Sequence, residues 1–205
     1  MILLNRTQEI KEPLLICGID EAGRGPLAGP VCAAAVILSD KFPRHLLNDS
    51  KKLTPSRRDE IQRIICVDAL VWGVGWASHI EIDSINILQA SLLAMKRAFE
   101  EMMKTAAKKR LLPLGKNATA IVDGLQIPDI SIPCKAMVKA DAQIPEVMAA
   151  SILAKTERDT YMEHMAKLYP QYGYESHKGY PTKAHREAVL KYGPSPIQRM
   201  SFKVE

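Results

Sequence analysis

No apolar run is longer than the eight residues from Val31 to Leu38. A membrane-spanning helix needs ~20, so none is expected. The opening Met1-Ile2-Leu3-Leu4-Asn5-Arg6 lacks a basic lead and an A-x-A signal, which argues against secretion. Cysteine is scarce and scattered: Cys17, Cys32, Cys66 and Cys134 include no C-x-x-C pair, and they read as reduced thiols of a cytosolic protein. The histidines His45, His79, His164, His177 and His185 show no zinc spacing. No internal repeat, low-complexity tract or Gly/Ser linker divides the chain. One domain over residues 1–205 is the simplest expectation, with a core at about 13–168 and a C-terminal extension at about 169–205.

What the sequence does contain is ordinary for a globular protein: 47% hydrophobic and 25% charged residues. A net charge of +5 is a mild basic bias, weakly consistent with a nucleic-acid partner. Pro13–Ile19 reads as a buried strand ending at Asp20, and Val31–Leu38 as a second strand returning after the glycine-dense turn 23–30. Leu70–Trp76 fits a third strand. Between the second and third, Thr54-Pro55 followed by Ile61, Ile64 and Ile65 predicts a capped helix. After Asp83, Ile85, Leu88, Leu92, Met95 and Phe99 recur at helical spacing. Two short strands follow, at 118–122 and 134–138, then a helix from Pro145 to about Leu168 and a short one from Thr182 to Tyr192. The expected fold is α/β: a mixed sheet flanked by helices.

The acids lie where strands end. Asp20 and Glu21 close the first strand, Asp123 the fourth, and Asp141 follows the fifth. A carboxylate at such a half-buried position is costly unless it is paired or holds a metal, and hard oxygen donors suit Mg²⁺ or Mn²⁺. Neighbouring strand residues point to opposite faces, so Asp20 and Glu21 can share a site only if the backbone departs from ideal geometry, which Gly23 and Gly25 permit. The plainer readings are a turn at Asp123-Gly124 and a helix cap at Asp141. Two divalent ions ~3.5–4 Å apart between such carboxylates would support phosphodiester hydrolysis.

The segment 18–31, Gly-Ile-Asp-Glu-Ala-Gly-Arg-Gly-Pro-Leu-Ala-Gly-Pro-Val, closely resembles the signature of type 2 ribonuclease H, the bacterial ribonuclease HII family. The resemblance continues at 49–53, 86–90, Asp123-Gly124, 149–155, 177–180 and Ser201-Phe202, and so covers about residues 14–202. It implies a ribonuclease H-like five-stranded mixed sheet with a C-terminal helical extension. It also implies an enzyme that cleaves the RNA strand of RNA–DNA hybrids and cuts 5′ of a single ribonucleotide in duplex DNA, leaving 3′-hydroxyl and 5′-phosphate ends. By motif position Asp20, Glu21, Asp123 and Asp141 correspond to the family's carboxylates for two Mg²⁺ or Mn²⁺ ions. Gly23-Arg24-Gly25 corresponds to its ribose-reading loop, and Tyr180 to its 2′-hydroxyl-recognising tyrosine. Lys51 and Lys178 are the favoured phosphate contacts, ahead of Lys52 and Lys183.

Three departures or ambiguities accompany the match. Ala140 stands where the family commonly has glycine. Glu146 adds an acid near Asp141, better read as a partner of the helix dipole than as a ligand. Gln198 replaces a frequent histidine, and 198–202 faintly resembles a sliding-clamp peptide, although packing of the tail explains it better. The rival readings are a ribonuclease HIII-like nuclease, a non-catalytic hybrid-binding protein and a resolvase-like nuclease. The intact four acids oppose the second; Gly23-Arg24-Gly25 with Tyr180 opposes the third. A cytoplasmic monomer is expected.

Overall fold

The computed structural model describes residues 14–48, 50, 52–111, 114 and 118–204; Lys51 lies outside them. The elements run β1 (Leu15–Ala22), β2 (Val31–Leu38), α1 (Pro55–Asp68), β3 (Ala69–Ala77), α2 (His79–Lys108), β4 (Ala118–Asp123), β5 (Cys134–Met137), α3 (Pro145–Leu168), α4 (Tyr174–His177) and α5 (Lys183–Tyr192). The strands form one five-stranded sheet in the order β3-β2-β1-β4-β5. The first three are antiparallel neighbours, whereas β1–β4 and β4–β5 are parallel, so the sheet is mixed.

β2 is buried along its whole length because both of its faces are covered. Val31, Ala33, Ala35 and Ile37 pack in the cluster that contains Ala94, Ala98, Phe99 and Met102 of α2. Cys32, Ala34 and Val36 pack in the cluster that contains Ile61 and Ile65 of α1 and Ile152 and Leu153 of α3. The period-two alternation of a strand thus serves two helical layers at once. The helices can approach closely because the sheet is notched. A Cβ on Gly73 would lie 2.2 Å from the Met102 nitrogen, and one on Gly18 would lie 2.1 Å from the Glu146 carbonyl carbon. The second notch seats the first turn of α3 against β1.

Beyond small shifts at other ends, the end of β1 and the start of α2 differ from the sequence expectation. β1 does not stop at Asp20 but pairs with β2 through Glu21–Ala33 and Ala22–Cys32. α2 begins at His79 rather than after Asp83, because Ser78 and Glu81 form a capping box ahead of the apolar period. Asn86 then interrupts it at φ 66°, ψ 165°. The Asn86 side-chain oxygen accepts from the Leu88 and Gln89 amides at 3.0 and 3.1 Å, acting as a second N-cap.

The C-terminal part packs back on the 23–30 turn. Leu27 donates to Gly179, Gly29 to Ile197, and Arg199 to Leu27 through the backbone. Ala28, Met162, Tyr172, Tyr174, Val189 and Ile197 form a third apolar cluster beneath this junction. The tail is fixed at its end by Asp83, which accepts from the Met200 and Ser201 amides at 2.8 and 2.9 Å. Among the described residues no helix is long and apolar enough to cross a membrane.

Candidate active site

The parallel pairing of β1 with β4 brings distant acids together. Its last register pair is Ile19–Val122, so Asp20 and Asp123 come next, side by side at the carboxyl ends of adjacent strands. Asp20, Glu21 and Asp123 line one cavity of about 240 Å³. Gly23, Arg24 and Gly25 form another part of its wall, and Tyr180 closes it from the C-terminal part. A Cβ on Gly25 would stand 3.7 Å from the Tyr180 ring, so this loop and the aromatic face each other. No break of β1 is needed to bring Asp20 and Glu21 to one site, contrary to the alternation argument. Asp20 Oδ1 accepts the Glu21 amide at 2.8 Å within the continuous strand.

The electrostatics of this cavity are unfavourable as they stand. Burial pushes the Asp20 carboxyl well above its ordinary range, the Glu21 charge raises it further, and the Ser151 hydroxyl pulls the other way. Burial also raises Glu21, against the opposing pull of Arg24, whose Nη1 lies 3.3 Å from Glu21 Oε1. The other Glu21 oxygen, Oε2, is buried with no hydrogen-bond partner. Buried carboxylates that repel one another, with one oxygen unanswered, are the donor set a hard divalent cation satisfies. Among the described residues no three His, Cys, Asp or Glu side chains are gathered tightly enough to make a metal shell by themselves. Asp20, Glu21 and Asp123 are therefore best described as the wall of a cation-compatible cavity.

The remaining sequence-nominated residues fall around that wall. Asp141 is buried in the 3₁₀ turn Ala140–Ala142, and Asp123 Oδ1 accepts the Ala140 amide at 2.8 Å, so the turn carrying Asp141 is tied to the end of β4. Asp141 is not part of the cavity wall itself. Lys178 lies one groove away, with Nζ 2.8 Å from Glu163 and 2.9 Å from the Glu175 carbonyl oxygen. Lys183 is exposed and Lys51 lies outside the described residues. Glu146 sits in the first turn of α3 and pairs with Arg44 at 3.2 Å. Gln198 is buried, and Phe202 packs against the core under the Arg199 guanidinium, so 198–202 is built into the fold.

Sequence reasoning missed several contributors. Ser50 and Ser151 share a 2.9 Å hydrogen bond beside Asp20, and Lys155 lines both the carboxylate cavity and the groove of Lys178. All three lie inside the motif segments 49–53 and 149–155, which was the available signal. Lys155 Nζ stands 5.7 Å from the Tyr180 ring centre and 2.8 Å from Asp159.

The family model for Ribonuclease HII matches residues 17–205. The chain is 54% identical over 201 residues to a ribonuclease HII of Treponema denticola, covering 93% of this chain and 99% of that protein. Among solved structures it is similar to that of a PCNA:RNase HII complex from Archaeoglobus fulgidus, at 29% identity and TM-score 0.67, covering 94% of this chain and 96% of that one. It also shares its fold with Bst-RNase HIII in complex with Mn²⁺, at 16% identity and TM-score 0.73, covering 93% of this chain and 68% of that one.

Proposed function

The chain belongs to the ribonuclease HII family, endonucleases that hydrolyse the RNA strand of RNA–DNA hybrids, and from that premise we propose how its residues divide the work. Asp20, Glu21 and Asp123, together with Asp141 on the turn tied to Asp123, would hold two divalent cations, Mg²⁺ or Mn²⁺. The observation that carries this reading is the shared cavity in which buried, mutually repelling carboxylates adjoin a glycine-flanked loop and a tyrosine. The Mn²⁺ found with the Bst enzyme supports the choice of cation. When bound, the cations supply activation of the attacking water and stabilisation of the departing oxygen.

The protein's own groups position the substrate. Gly23-Arg24-Gly25 presents main-chain groups to the ribose, the position at which RNA and DNA differ. Tyr180 packs on the sugar from the opposite side and donates its phenol to the 2′-hydroxyl. Lys51 and Lys178 contact flanking phosphates, and Lys178 reaches them from the groove beside the cavity. The same arrangement cuts on the 5′ side of one ribonucleotide embedded in duplex DNA, leaving 3′-hydroxyl and 5′-phosphate ends.

The chain works as one ribonuclease H-like unit, a cytoplasmic monomer. The Archaeoglobus complex lends support to a sliding-clamp contact. Here such a contact would use the outer side of the tail, where Met200 is 70% exposed, because Gln198 and Arg199 are buried. The functional test is cleavage of a duplex with one internal ribonucleotide in Mg²⁺ or Mn²⁺, beside an all-DNA duplex. Cutting 5′ of the ribonucleotide with survival of the DNA is expected; no cutting in either metal overturns the reading.

A further inference from the structure

Among the described residues the two largest fully buried side chains are arginines, and neither lines the carboxylate cavity. Arg158, on α3, donates from Nε to Pro30 O at 3.1 Å, from Nη2 to Ala28 O at 3.2 Å and from Nη1 to Lys178 O at 3.0 Å. Arg199, in the tail, donates to Gly29 O at 2.8 Å, to Arg24 O at 3.0 Å, and from Nη2 to Gly23 O at 2.6 Å and Pro30 O at 3.2 Å. Every acceptor is a main-chain carbonyl of the 23–30 turn or of the segment leading to Tyr180.

A guanidinium is a rigid planar fork, so donors fixed on several carbonyls fix the backbone between them. Arg158 spans both segments, and its Cζ lies 5.8 Å from the Tyr180 ring centre. Gly23 lies directly on it: at φ +102°, a Cβ there would fall 2.1 Å from Arg158 Nε. Gly23 is thus glycine for the arginine beneath it as well as for any ligand above it. Backbone bonds from Leu27 to Gly179 and from Arg199 to Leu27 close the same junction.

We infer that Arg158 and Arg199 are positioning residues for ribose discrimination: they clamp the Gly23–Gly25 loop and the Tyr180 segment at a fixed separation, so that selection of a single ribonucleotide depends on the docked C-terminal tail. This rests on the proposed role of that loop and of Tyr180 in reading the ribose. It makes the tail part of the specificity apparatus, although none of its residues 195–202 lines the cavity.

The experiment uses the full-length enzyme with Arg158→Lys and Arg199→Lys, which keep the charge and lose the fork. Each is assayed well below its own melting midpoint on two substrates, a duplex with one ribonucleotide and a long RNA–DNA hybrid. With charged hydrogen bonds lost, kcat on the single-ribonucleotide duplex is expected to fall about tenfold or more while KM stays within about twofold. On the hybrid, whose neighbouring nucleotides also carry 2′-hydroxyls, the fall is expected to stay below about threefold. Adding Tyr180→Ala to Arg158→Lys should cost little further preference, because both act through one contact. An equal fall on both substrates, or fully additive losses of preference, overturns the clamp and leaves the ribose-reading role standing. If Tyr180→Ala alone leaves the preference unchanged, that role falls and the clamp with it.

Discussion

The molecule buries charge of both signs within one neighbourhood and treats the two oppositely. At the ends of β1 and β4, Asp20 and Glu21 face like charge, and Glu21 Oε2 is left without a partner. Beneath the adjoining turn, Arg158 and Arg199 are equally deep, yet their donors meet carbonyl oxygens supplied by the chain. Burial of an ion is tolerable only when something answers it, at a cost of several kcal/mol otherwise. The arginine donors are answered throughout by main-chain carbonyls, whereas the carboxylates are answered only in part, by Arg24 and the Glu21 amide, and Glu21 Oε2 is left over. The arginine region is satisfied within the fold and holds the adjoining loop in place; the carboxylate region is the candidate site.

Breaking each side of that contrast gives opposite signs. Asp20→Asn removes a charge that burial and Glu21 disfavour. It should abolish cleavage, by about 10³-fold or more if a cation contact of several kcal/mol is lost, while raising the thermal midpoint without added metal. A variant that cleaves normally would remove Asp20 from the chemistry. Arg199→Met strips four hydrogen bonds from buried carbonyls and should lower stability by about 3 kcal/mol in denaturant melts. A loss below about 0.5 kcal/mol, the level of ordinary surface substitutions, would show that the carbonyls find other donors.

The smallest expected effect concerns the support of Tyr180. His177 and His185 stack at 4.5 Å between ring centres, His177 accepts the Gly179 amide through Nδ1, and His185 Nδ1 lies 3.0 Å from Tyr180 O. Burial holds both rings below the usual 6.5. The unfolded chain therefore takes up protons first, so their contribution is complete above about pH 6.5 and is lost as pH falls below it. The thermal midpoint should drop on acidification through that window, and His185→Gln should flatten the drop; an unchanged slope would remove His185 as its origin.

Much of this was legible in the sequence where the signal is local. The bounds of β2 and α3 follow from the run Val31–Leu38 and from Pro145 at a helix start, and the acids stand out because each lies at or just past the end of an apolar run of sequence. Register was not legible as such, yet a parallel β1–β4 pairing is what puts Asp20 beside Asp123. The arginines were invisible for a deeper reason. A charged residue in helical or tail sequence reads as a solvated surface group, and only docking of the tail on the 23–30 turn makes the carbonyl cage that buries it. The break at Asn86 was likewise hidden, since its cap is formed by the asparagine's own side chain.

The central claim is that the carboxylate end of the sheet is completed by divalent cations. The most direct measurement is a Mn²⁺ titration of the thermal midpoint for the wild-type protein and for Asp20→Asn, without nucleic acid. The wild type should gain stability with the logarithm of metal concentration, about 2.7 kcal/mol at a hundredfold excess over Kd, and the variant should lose most of that gain. Equal shifts in the two proteins, or none in either, would contradict it.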